Sequence, residues 1–370
     1  MSTSDGAAIP EQRCLTSQDW QDIELAHKYR LSLSSSPSQS SFRVLALIFY
    51  QLEKESEIPP FIPMSQTSPD GRRYIVGTND EPGYMGGAIC AERAAMVQLR
   101  FASPHKLTKL VIATDSLDPI SPGILCREFL AGHGKQVPWD LPVISSGCIC
   151  NHCNLRDDGL LASFSSCTDG RKHHDIAILE TTIAELYPYP SPYTRLTSKE
   201  SVALGEYYSG SERATSDLHD LDETAKRLLE LAIMEARSTV DAKNDPHPIQ
   251  FGAAVVFEDG TIATSHQSSA LEYGCTLDAV SQLATHIIQE NSSVPFLLVQ
   301  ADQYGIAHAP FAPARSYLTE HGHGDCHILL HETPANQVVD VTTVNDWALK
   351  SVPAAELAPN APAWTVGTDR

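Results

Sequence analysis

From Phe42 onward the chain alternates short apolar runs with longer stretches of helical composition. The run that Phe42 opens reads as a buried strand. Before it, Ser17 to Arg30 reads as a helix, and Ser-rich Ser32 to Ser41, which lacks apolar periodicity, as a loop. Pro-rich Ile58 to Pro69 reads as a long hairpin connection, with Asp70-Gly71 as the turn into a second strand, Arg72 to Gly77. Ala88 to Phe101 is rich in Ala, Met, Leu, Glu and Arg with no proline or internal glycine, which predicts a helix. Leu107 to Thr114 then predicts a strand, Pro122 to His133 a helix opening on proline, and Trp139 to Ile144 another buried strand. Strands alternating with helices predict an α/β fold whose sheet has a parallel portion.

The second half repeats part of this order. Arg127-Glu128-Phe129-Leu130-Ala131-Gly132-His133-Gly134 has a counterpart in Arg315-Ser316-Tyr317-Leu318-Thr319-Glu320-His321-Gly322, 188 residues later. Phe251-Gly252-Ala253-Ala254 resembles the strand after Phe42, and Glu258-Asp259-Gly260 a hairpin turn. Gly274 to Ala279 stands where Ile89 to Ala94 stands, which sets Leu277 against Glu92. These features in one order imply duplication rather than chance likeness of short helices. The organisation expected is a helix and Ser-rich lead (1–34), a first α/β domain (35–190) with a Cys/His-rich insertion near 145–175, and a polar connector (191–223). A second, degenerate domain (224–350) and a loosely held Ala/Pro-rich tail (351–370) complete it.

Length favours two domains over one, since 370 residues exceed an ordinary single core. A formal charge of -20 repels phosphate backbones, which argues against sequence-independent nucleic-acid binding and leaves small solutes as the expected partners. Nine cysteines at uneven spacing, and a polar start from Met1 to Gln12 without the features of a secretory signal, fit a reduced cytoplasmic compartment. Apolar runs such as Val44 to Tyr50 fall far short of the ~20 residues that a membrane-spanning helix needs.

The chemistry concentrates at Cys90-Ala91-Glu92. A thiolate and a carboxylate two residues apart at a helix start suit a hydrolytic zinc deaminase, in which the metal activates water and the glutamate moves protons. That signature has a second half, Pro-Cys-x-x-Cys; here Pro122-Gly123-Ile124-Leu125-Cys126 puts glycine where the first cysteine is expected. A glutamate in the first turn of a helix also suits the helix dipole, but its place two residues after Cys90 favours the catalytic role.

On these residues the chain resembles the cytidine deaminases, in particular the two-half type with a catalytic first half and a degenerate second half. The resemblance covers about Ser35 to Pro190 and again Pro246 to His331. It implies two three-layer α/β/α domains, each around a mixed five-stranded sheet, and a homodimer acting in pyrimidine salvage. In that family Asn-x-Glu precedes the zinc cysteine by the separation that Asn79-Asp80-Glu81 has from Cys90, and the resemblance implies that Asn79 and Glu81 hold the ribose hydroxyls. Phe42 matches the family's pyrimidine-flanking aromatic, although Leu45 replaces the usual glycine of that strand, and a plain core role for Phe42 stays equally open. Ala91 matches the position whose backbone meets the base, and Arg127 an arginine that hydrogen-bonds near the zinc thiolates.

A catalytic zinc takes three protein ligands, so Cys90 and Cys126 need a third. Cys148, Cys150 and Cys153 are the candidates: if Leu107 to Thr114 and Trp139 to Ile144 are parallel neighbours, Cys148 leaves the sheet at the edge where such folds collect their sites. Alternatively these cysteines, with Cys167, His152, His173 or His174, form a separate structural zinc site within the insertion. The leading functional expectation is deamination of cytidine or deoxycytidine with Zn2+. A catalytically inactive nucleoside-binding module is the alternative, which Gly123 favours and the trio Glu92, Asn79 and Glu81 opposes. A polynucleotide deaminase ranks last because of the acidic charge.

Overall fold

A computed structural model describes residues 15–33, 35–52, 65–83, 87–101, 105–116, 118–148, 176–238, 247–270, 276–289, 293–333 and 339–359. They form a mixed α/β protein with two six-stranded sheets. Two compact units can be separated, Met1–Pro104 with Thr108–Ile120 and Pro142–Thr181, and His105–Leu107 with Ser121–Leu141 and Thr182–Arg370.

In the first unit, α1 (Ser17–Leu31) precedes β1 (Val44–Leu52), β2 (Ser65–Thr67), β3 (Arg73–Thr78), α2 (Ala91–Gln98), β4 (His105–Thr114), β5 (Pro142–Cys148) and β6 (Ile176–Thr182). The strand order is β2-β3-β1-β4-β5-β6, with β1 antiparallel to β3 and β4 parallel to β5, the parallel pair expected from sequence. Val44–Leu52 is nearly all apolar because both faces of the strand are covered. Leu45, Leu47 and Phe49 pack with Tyr74 against Ile23 and Ala26 of α1. The alternate residues Ala46 and Ile48 are also fully buried, on the face where Gly77 lies against Ala91 and Ala95 of α2.

The second unit contains α3 (Ile124–Ala131), α4 (Ile183–Leu186), α5 (Ser198–Ser209), α6 (Glu212–Asp220), α7 (Glu223–Ser238), β7 (Phe251–Phe257), β8 (Ile262–His266), α8 (Ala279–Gln289), β9 (Pro295–Asp302), β10 (Ala307–His308), α9 (Ala312–Glu320), β11 (His327–Glu332) and β12 (Ala348–Pro353). Its strand order is β12-β11-β9-β7-β8, with β10 added against β9. Ala254, Val256, Leu297 and Val299 face Leu228, Leu229 and Ala232 of α7. Ala253, Val255, Leu298 and Ile328 face Val280 and Leu283 of α8 and Leu318 of α9. Helices therefore cover both faces.

Five strands correspond between the sheets, β3-β1-β4-β5-β6 and β8-β7-β9-β11-β12, and each sheet carries one small extra strand, β2 or β10, beyond the five expected. Register fixes the correspondence. Leu45 pairs with Thr78 and Gly252 with His266, so Gly252 answers to Leu45, and Phe251 to Val44 rather than Phe42.

Several expectations shift. The polar stretch read as a connector holds α5 and α6, because Thr197 and Glu200 cap each other reciprocally at the start of α5 and Ser211 caps α6. Ala354 to Leu357, assigned to a loose tail, is a short 3-10 turn in which Leu357 is fully buried. The strand expected from Trp139 begins at Pro142, and the helix expected from Ala88 begins at Ala91. No described helix is long and apolar enough to cross a membrane.

Buried polar groups hold α1 to its sheet. Ser146 donates to the Ile112 carbonyl, so its oxygen accepts from His27 Nε2 at 3.0 Å, and His27 Nδ1 accepts from Arg30 Nε at 3.3 Å. Both contacts suit the neutral ring, and burial, aided by the Arg30 charge, lowers the His27 pKa to about 3. The unfolded chain takes up a proton near pH 6.5 that the folded chain refuses down to about pH 3, so the stability from the neutral ring is complete above 6.5 and lost as pH falls below it. Urea denaturation at successive pH values below 6.5 is expected to show a loss of up to ~1.4 kcal/mol per pH unit from this residue. His27→Leu should flatten that slope; an unchanged slope in the variant would assign it elsewhere.

Candidate metal and nucleoside site

Cys90 is the N-cap of α2, with extended backbone and a thiol where a hydroxyl or carboxylate usually accepts from the first turn, and it makes no side-chain cap bond. Its sulfur lies instead 3.8 Å from Nη2 of Arg93, which also donates to the Ala88 carbonyl at 3.3 Å. Ala91 is fully buried and Glu92 only 4% exposed, so the carboxylate in the first turn of α2 points away from solvent.

Main-chain pairing brings the second pair of predicted residues to the same place. Asp80 and Ile89 form an isolated antiparallel bridge, each N–H donating to the other carbonyl at 3.0 Å. Asn79-Asp80-Glu81 is thereby tied to the residue before Cys90. Asn79 accepts from the Val44 N–H at 2.8 Å and donates to the Phe42 carbonyl at 2.8 Å, which clamps the start of β1. Its amide also lies 3.4 Å from the Glu81 carboxylate, which accepts from the Ser40 N–H and hydroxyl, both at 2.8 Å. Phe42 is half-buried. The Ser-rich segment read as a plain loop thus positions Glu81, and Ser41 beside it takes a left-handed φ of 57°. A segment of serines broken by Pro37 and Gln39 carried no period that could have marked this role.

Cys126 lies fully buried in the first turn of α3, whose N-cap is Gly123. A side chain at Gly123 would meet nothing within 4 Å, so the missing thiol is not a matter of space. Arg127 donates from Nε to the Pro122 carbonyl at 2.7 Å and from Nη1 to Leu186 and Pro359 carbonyls at 3.0 and 2.6 Å. Among the described residues, the Cys90 and Cys126 sulfurs and a Glu92 carboxylate oxygen lie within 4.8 Å of one another, a group that could hold a metal ion. Two soft thiolates with one carboxylate suit zinc by donor type. Cys148 ends β5, while Cys150, Cys153, Cys167, His152, His173 and His174 lie outside the described residues.

The second half carries the same bridge without these donors. Ser268 and Leu277 form the same isolated bridge, 188 residues after Asp80 and Ile89. That places Asp278 opposite Cys90 and Val280 opposite Glu92, correcting the alignment that set Leu277 against the glutamate; Leu277 pairs with Ser268 through its main chain and is 52% exposed. Asp278 caps α8 through the Ser281 N–H and hydroxyl, and burial pushes its carboxyl up. Phe311 stands where Gly123 does and packs edge-on against Phe251, ring centroids 5.0 Å apart. The Glu128 carboxyl, likewise raised by burial, accepts from the Tyr187 hydroxyl at 2.6 Å and the Ala312 N–H at 3.1 Å.

No family profile and no curated protein matches the chain. Solved structures similar to it include cytidine deaminase from Mycobacterium tuberculosis, at 20% identity over 38% of this chain and 99% of that one, with a TM-score of 0.30. Cytidine deaminase from Burkholderia pseudomallei matches at 16% identity over 47% of this chain and 98% of that one, TM-score 0.29. The enzyme from Bacillus anthracis matches at 17% identity over 39% and 91%, TM-score 0.27.

Proposed function

We propose that this chain is a zinc-dependent hydrolase that deaminates cytidine or deoxycytidine, working as a cytoplasmic homodimer in pyrimidine salvage. The observation that carries the reading is the buried start of α2, where Cys90 and Glu92 meet Cys126 in one potential metal group. Bound zinc would acidify a water so that hydroxide is available near neutral pH. Glu92 would relay the two protons of the attacking water, one to the pyrimidine ring nitrogen, which keeps it, and one to the amino group that departs as ammonia. Asn79 and Glu81, tied to Cys90 by the Asp80–Ile89 bridge, would bind the ribose hydroxyls. Ala91 leaves room for the base and Phe42 flanks it.

A binding module that keeps the fold without the chemistry is favoured by one feature, the open N-cap at Gly123 that supplies no third thiol. Incubating the zinc-supplied protein with cytidine and following loss of ultraviolet absorbance decides between them. Zinc retained without turnover of cytidine or deoxycytidine supports the module.

The third donor comes from the stretch opened by Cys148, which leaves β5 next to the parallel β4, or from Glu92 itself. Single serine substitutions at Cys148, Cys150 and Cys153 are expected to leave one variant with much reduced zinc by metal analysis. Full zinc and full rate in all three would end that assignment and move the third ligand to Glu92.

A further inference from the structure

Glu128 follows Cys126 by two residues, so at about 100° per residue their side chains leave α3 on nearly opposite sides. Whatever grips Glu128 sets the rotation at which Cys126 is presented. The grip is specific. The carboxylate accepts one bond from the hydroxyl of Tyr187, a residue 2% exposed, and another from the N–H of Ala312, the first residue of α9. The Arg315 guanidinium lies over the Tyr187 ring at 4.0 Å and donates to the carbonyls of Pro188, Tyr189 and Leu357. Tyr187 is therefore itself held.

The arrangement runs one way between the copies. Arg127 and Arg315 repeat each other closely, each donating from Nε at 2.7 Å to the carbonyl five residues before it, Pro122 or Pro310. Glu128, however, answers to Ser316, whose hydroxyl bonds Glu320 on its own helix. The carboxylate of the first copy thus sits at the helix end of the second copy, and among the described residues no matching reach runs from Ser316. A leucine at 128 would bury similar surface without the cost of burying a carboxyl group. What Glu128 adds is direction: two bonds of fixed geometry at one point on α3.

We propose that Glu128 is a positioning residue for metal binding, which holds α3 at the rotation that presents Cys126, and that the degenerate copy is retained as the anchor for this bond. The proposal rests on Cys126 being a metal ligand. Outer partners that orient metal ligands typically change affinity by ~10–100-fold when removed.

The test is the rate at which zinc passes from the loaded protein to a chromophoric chelator, measured beside the thermal stability of the zinc-free form. Glu128→Ala is expected to release zinc ~10–100-fold faster. Glu128→Gln, whose amide oxygen still accepts from Tyr187 and Ala312, should release it at the native rate, and Tyr187→Phe should fall between. A purely structural role predicts lower stability of zinc-free Glu128→Ala with an unchanged release rate, and that result overturns the proposal. Should Glu128→Ala fail to fold, native release by Tyr187→Phe overturns it equally. A native protein that takes up no zinc sinks the metal reading itself, which is distinguishable from zinc uptake with identical release by every variant.

Discussion

Glu92→Gln is expected to abolish turnover of cytidine while leaving zinc content unchanged. Glutamine keeps the shape and the buried place of Glu92 in the first turn of α2, so the fold and the two thiols should be undisturbed. What it loses is the ability to take a proton and return it. General acid–base catalysis by one side chain contributes ~10²–10⁴-fold, and here the same carboxylate serves both directions of transfer, which places the loss at the upper end of that range. Substrate binding should change little, because the residues assigned to the ribose lie on a different segment, at Asn79 and Glu81. The expected pattern is therefore a fall in kcat with nearly constant KM. Zinc analysis on the same preparation separates two roles: zinc kept with activity lost assigns proton transfer, and zinc lost with activity makes Glu92 a ligand. A variant that retains a tenth or more of the native rate would remove Glu92 from the mechanism.

The parts legible in the sequence were those in which local pattern and tertiary demand agree. Val44–Tyr50 is apolar because two helical layers cover it, and Pro142–Cys148 and His105–Thr114 lie in the same sheet. The grouping of Cys90, Glu92 and Cys126 was legible because a metal-ligand pattern constrains donor type and spacing together. Long-range pairing was not. The Asp80–Ile89 bridge keeps Ile89 out of α2 although its neighbours are good helix formers, and no local propensity reports a partner nine residues away. The same bridge in the second copy sets the true alignment, which similarity around Cys275 had displaced by three residues. The helices between the two copies were signalled by Thr197 and Glu200 at capping-box spacing, but their polar composition resembled a linker. The Ser40–Glu81 contact joins two loops, where neither hydrophobic period nor propensity carries information.

Gly77→Ala should lower stability and activity together. A methyl group at this position would stand 2.2 Å from the Ala91 carbonyl oxygen, 2.6 Å from the Ala95 nitrogen and 2.8 Å from the Ala95 side chain. Two of these neighbours are backbone atoms of α2, so no rotamer change relieves the clash, and the helix must move by ~1 Å or the strand must bend. Overpacking of this kind costs ~1–3 kcal/mol, and the rigid partners here put the effect at the top of that range. The helix that moves carries Cys90 as its N-cap and Glu92 in its first turn, so stability and activity fall together. A displacement of ~1 Å at a catalytic group can cost ~10²-fold in rate, a larger proportional loss than the stability change alone would bring at temperatures where the variant is folded. Gly83→Ala supplies the control, since nothing lies within 4 Å of a side chain added there and its φ is ordinary. Urea denaturation and kcat/KM of both zinc-loaded variants should show Gly83→Ala within ~0.5 kcal/mol of native and Gly77→Ala strongly impaired in both measures. Native stability in Gly77→Ala would mean that α2 does not lie against β3 at this point, and loss of stability without loss of rate would mean that the site tolerates movement of the helix that builds it.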